Sequence, residues 1–64
     1  MDNDIIVTIN EMIADLENAK EEARKFIGGN NAAGTRVRKA MQQIKVDAQV
    51  VRVTVSEWKN GRDE

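Results

Sequence analysis

Sixty-four residues with a net charge of −1 make one small domain at most, and a chain this short struggles to bury a sufficient core alone. The absence of cysteine excludes a disulfide framework, and the absence of both cysteine and histidine excludes the usual zinc sites. No apolar run approaches the length of a membrane span and no leader segment is visible, so the chain reads as soluble and intracellular.

One third of the residues are charged, only Phe26 and Trp58 are aromatic, and proline is absent, which is the composition of exposed helices. At the start, Asp2, Asn3 and Asp4 offer N-caps and favourable charge for a helix. A competing start is the capping-box pattern Thr8-Ile9-Asn10-Glu11, which would leave Ile5 to Val7 extended. Ile5, Ile9, Met12, Leu16, Ala19, Ala23 and Phe26 then recur at alternating steps of 4 and 3, a helical seam over about 3–27.

Gly28 to Asn31 form the predicted elbow. Gly28 suits the left-handed residue that ends the first helix, and Asn30 or Asn31 suits the cap of the second. Beyond it, Val37, Met41, Ile44, Ala48, Val51, Val55 and Trp58 repeat the same steps, predicting a helix over about 32–60 that Asn60-Gly61 closes, with 62–64 frayed. Folded back on itself, the chain pairs Phe26 with Val37, Ala23 with Met41, Ala19 with Ile44 and Leu16 with Ala48. Met12 with Val51, Ile9 with Val55 and Ile5 with Trp58 complete the set. Alanine repeatedly meets a larger side chain, the alternation that fills a core layer. The expected fold is all-α, a coiled-coil-like antiparallel two-helix hairpin occupying residues 1–64 as a single domain. The β-like alternation of Val51 to Ser56, with the β-branched Ile5 to Ile9, leaves a β-α-α-β arrangement as the runner-up.

A second apolar set comprises Ile6, Ile13 and Ile27 on the first helix and Val46, Val50 and Val53 on the second. Solvated helices rarely carry two such stripes. Self-association is therefore expected, as a dimeric four-helix bundle or a higher oligomer, with Ile6, Ile13, Val46, Val50 and Val53 as its interface.

Catalysis is not expected. Thr8, Thr35, Thr54 and Ser56 have no base beside them, Glu17, Glu21 and Glu22 read as a solvated face, and no cofactor or metal site is predicted. Gly28 and Gly29 lack the Lys-Ser/Thr of a phosphate loop. Charge is divided unevenly: residues 1–29 hold seven acids and three bases, whereas residues 30–64 hold seven bases and four acids. Arg36, Arg38 and Lys39 crowd the start of the second helix, where the peptide dipoles already place positive charge. Helix N-terminal amides, short polar side chains and arginines together suit a phosphate oxygen, which nominates Asn30, Asn31, Thr35, Arg36, Arg38 and Lys39. The competing reading of the same residues is a set of salt bridges to Glu21 and Glu22 across the hairpin.

The stretch Gly29-Asn30-Asn31-Ala32-Ala33-Gly34-Thr35-Arg36-Val37-Arg38-Lys39-Ala40-Met41, continued by Ile44-Lys45 and Ala48-Gln49, resembles the bacterial linker-histone-like family of the chlamydial histone-like type. Members share a Gly-Asn-x-Ala-Ala-x-x-Arg-x-Arg elbow between two helices. The resemblance implies a self-associating hairpin that binds double-stranded DNA and compacts the nucleoid, in the cytoplasm. It places Arg36, Arg38 and Lys39 at the elbow's basic positions, and Lys45 and Arg52 at later ones. The lysine-rich tail of the chlamydial type has no counterpart here, so a short form is expected. Val50 and Val53 stand where polar residues are usual, and Asn31 where lysine is frequent. These departures keep a second function open, a helical oligomerisation or protein-interaction module such as a phage-encoded modulator of a host protein.

Overall fold

The computed structural model describes residues 3–61 as two helices, α1 (Asp4–Ile27) and α2 (Asn31–Asn60), packed as a hairpin of 53 × 21 × 12 Å. Its least dimension equals the diameter of a single helix, so the molecule is one layer thick with two broad faces. The expected Asp2 cap and the fraying of 62–64 lie outside the described residues.

Each boundary has a local cause. Asn3 caps α1, its side-chain oxygen accepting from the Ile6 amide at 3.0 Å. The Thr8 capping box is not used, because helix already runs through Ile5 to Val7 from the stronger cap upstream. At the other end the expectation for Gly28 is corrected: Gly28 has φ −77°, and it is Gly29 that carries the positive φ, +113°. α1 still ends at Ile27; the Gly28 and Gly29 amides donate to the Arg24 and Phe26 carbonyls, and the chain reverses at Gly29. Asn30 caps α2 by accepting from the Ala33 amide at 3.2 Å, which leaves Asn31 as the first helical residue.

Residues 50–56 are helical, and the described residues contain no strand. Within this run the Thr54 hydroxyl donates to the Val50 carbonyl at 2.8 Å, the back-bond open to a threonine in a helix.

The packing corrects the expected seam. Ile5, Thr8, Met12, Asp15, Ala19 and Glu22 are the more buried row of α1, at steps of 3 and 4. Ala33, Val37, Ala40, Ile44, Asp47, Val51 and Thr54 form the equivalent row of α2. These rows share Ile5, Met12, Ala19, Val37, Ile44 and Val51 with the expected seam, and the expected Ala23 and Ala48 are half-buried beside them, but Thr8, Asp15, Ala40 and Thr54 take the places expected of Ile9, Leu16, Met41 and Val55. Ile9, Leu16, Met41 and Val55 consequently lie on one flank with much of their surface in solvent, Leu16 at 47%. The physical reason is the width of the apolar arc, which exceeds what one neighbouring helix can cover. The small residues decide which part is covered: Ala19 at 5% and Ala33 at 0% exposure are the buried side chains, and Gly34 lets the Phe26 ring lie against α2.

Candidate functional site

The nominated residues divide when the helices are in place. Asn30 is committed to the backbone as the cap of α2. Asn31, Thr35 and Arg38 line a shallow depression beside Phe26, Gly34 and Val37, so the elbow does gather part of the set. Arg38 and Lys39 border a second depression with Thr35 and Gln42. Lys45 stands apart, roughly 10 Å further along α2 at 1.5 Å per residue.

Arg36 is occupied. Its Nε donates to Glu22 across the hairpin at 2.5 Å, where the Glu22 side chain is only 15% exposed. That hydrogen bond, seconded by Lys25 at 3.3 Å, holds the Glu22 carboxyl below the usual glutamate range despite an opposing effect of desolvation. Of the two readings left open for the elbow, the interhelical salt bridge therefore describes Arg36.

The other cations follow a simple division. On α1, Lys20 pairs with Glu17, Arg24 with Glu21 and Lys25 with Glu22, each three residues apart on the same helix. On α2, Arg38, Lys39, Lys45, Arg52 and Lys59 are exposed, and none takes part in an ion pair among the described residues. The first turn of α2 holds no acid. Asp47, one of two acids on that helix, is engaged by the Gln43 amide at 3.0 Å. The unpaired positive charge thus runs along the whole of α2, wider than the elbow that sequence reasoning singled out. Arg52 is reached through the family resemblance, and Lys59, seven residues beyond it, is readable from spacing alone.

The residues nominated for self-association sit in two places. Ile6 and Ile13 join Ile9 and Leu16 in a row at steps of 3, 4 and 3, on the flank that also carries an open apolar groove between Leu16, Ala19, Ala23, Val37 and Met41. Val46, Val50 and Val53 are about half exposed and lie on the back of α2, roughly 100–160° around the helix from its buried row. Ile27 at the elbow is 82% exposed. No group of acidic side chains among the described residues is arranged to hold a metal ion, and none of the described helices is long and apolar enough to cross a membrane.

Residues 6–61 match the family model described as histone H1-like protein Hc1. Neither curated proteins nor solved structures gave a match.

Proposed function

The chain belongs to the histone H1-like Hc1 family, and from that premise we propose that it is a small nucleoid-associated protein that binds the DNA backbone without reading sequence. The observation that carries the reading is the division of cations. The basic residues of α1 are matched within the chain, while five on α2 face solvent without a carboxylate among the described residues. Such charges gain by releasing the counterions condensed on a duplex, a contribution indifferent to base sequence. Arg38, Lys39 and Lys45, with the hydrogen-bonding groups of Asn31 and Thr35, are the phosphate contacts; Asn30 supports them as the cap, and Arg36 fixes the hairpin that presents them.

The binding form is self-associated. Only two alanines are buried among the described residues, so an isolated hairpin leaves most of its apolar surface in water. A second copy seated on the Ile9, Leu16, Met41 and Val55 flank, with Ile6 and Ile13 at its edge, covers the largest part and gives a four-helix bundle. Several weak phosphate sites per assembly then act together on one duplex.

The test is a salt titration of duplex binding with protein of measured oligomeric state. The expected result is equal affinity for unrelated sequences and a steep logarithmic dependence on salt. Failure to bind long duplex DNA at low salt would sink this reading. One observation favours a second: Val46, Val50 and Val53 form a half-exposed apolar row on the back of α2. A protein-interaction module would use that row, and a copurifying partner released by Val50→Glu would identify it.

A further inference from the structure

Four of the five α2 cations that are unpaired among the described residues stand in a single line. Arg38, Lys45, Arg52 and Lys59 follow one another at intervals of seven residues, and all four are exposed. On an α-helix such a line advances ~10.5 Å per member and ~31 Å in all, turning only ~20° per interval. It runs beside Met41, Ala48 and Val55, each three residues after a member of the line, and so forms the α2 rim of the apolar flank.

Basic residues bordering an apolar seam ordinarily pair with acids of the helix that covers it. A second copy of this chain is poorly equipped to do so. The corresponding rim of α1 carries Asn10, Glu17, Lys20 and Arg24, a single acid against two bases, and Glu17 is already in contact with Lys20 at 4.0 Å. Glu21, next to the rim, is taken up by Arg24, and the other carboxylates of that helix, Asp4, Glu11, Asp15 and Glu22, lie towards its other side. The line therefore keeps its charge when two copies meet face to face, and long Lys and Arg stems leave their charged ends in water at such a rim.

Resting on the DNA-binding reading above, we infer that Arg38, Lys45, Arg52 and Lys59 are a phosphate track: duplex DNA lies along the length of α2, and the elbow is one end of the contact. A duplex carries one charge per ~1.7 Å of axis, so ~31 Å of helix faces on the order of nine base pairs, ample for four contacts per copy.

Three charge-removing substitution sets and one charge-conserving swap on the full chain separate the possibilities, with far-UV circular dichroism and sedimentation run on each. Lys45→Gln, Arg52→Gln and Lys59→Gln remove the track beyond the elbow. Lys20→Gln, Arg24→Gln and Lys25→Gln make the same change in net charge on α1. Arg36→Gln with Lys39→Gln alters the elbow. Binding of a 30-base-pair duplex is followed against salt. The track set should lower the logarithmic salt slope by ~2.7 per bound copy, at ~0.9 per phosphate contact. The α1 set should change it by less than one, and Lys45→Arg with Arg52→Lys should preserve it. Equal losses from the track and α1 sets would overturn the inference, as would a slope that falls mainly with the elbow pair. In both of those outcomes the unmodified chain still binds, so the DNA-binding reading survives. If the unmodified chain does not bind at low salt, that reading fails and the track fails with it.

Discussion

Gly34 and Phe26 occupy each other's space: a Cβ built on Gly34 would stand 2.6 Å from Cδ1 of the Phe26 ring. The ring closes the elbow end of the hairpin because position 34, inside a helix, has no side chain. Glycine in a helix interior costs ~1 kcal/mol relative to alanine, so helix preference and ring packing pull in opposite directions at this site.

That opposition is measurable as a double-mutant cycle. In a Phe26→Ala background, Gly34→Ala should stabilise by ~1 kcal/mol, the helix-propensity gain alone. In the native background much of that gain should vanish, because the half-exposed ring must move aside. Gly34→Leu, which overfills the site, should cost ~1–3 kcal/mol. Urea unfolding of the four members of the cycle gives the coupling directly. Equal effects of Gly34→Ala in both backgrounds would show that the contact does not govern stability.

Acid stability should depend on Glu22. Its folded pKa is depressed by the Arg36 hydrogen bond, so the stabilisation is fully present above the ordinary value near 4.5 and is lost as pH falls through the lower folded value. Thermal unfolding of the unmodified chain should weaken across that interval, and Glu22→Gln should flatten the profile there. Arg36→Gln should do the same from the other partner. Neither variant should alter the shape of the profile between pH 6 and 8, and a change confined to that range would point to a different group.

Assembly should distinguish the two apolar surfaces. Leu16→Glu with Met41→Glu places charge on the flank and should convert the sedimenting species to monomer while lowering the melting temperature. Val50→Glu with Val53→Glu charges the back of α2; it should leave dimers intact and remove only larger assemblies. A fully folded monomer of the unmodified chain at micromolar concentration would contradict the need for either surface.

Much of this architecture is written in the sequence. Steps of 3 and 4 fix two helices, the Gly-Gly-Asn run fixes where the chain reverses, and asparagine ahead of each helix supplies its cap. The facing flank was not legible, because Ile9 and Thr8 complete an equally regular heptad with Ile5 and Met12. Hydrophobicity alone favours Ile9 and Leu16 inside. Close approach at Ala19, Ala33 and Gly34 favours Thr8 and Asp15, and only packing shows that the second preference wins. The elbow's basic cluster was legible as chemistry but not as partnership. Arg36 and Arg38 look alike in the sequence, and the distance to Glu22 separates them.

A hairpin whose only buried side chains, among the described residues, are two alanine methyls has a bearing on turnover as well as on shape. If a second copy supplies the missing interior, the fraction of chain resistant to proteases rises with the number of copies present. Newly made protein would then be cleared faster while scarce than once abundant, so its level would rise more steeply than its synthesis.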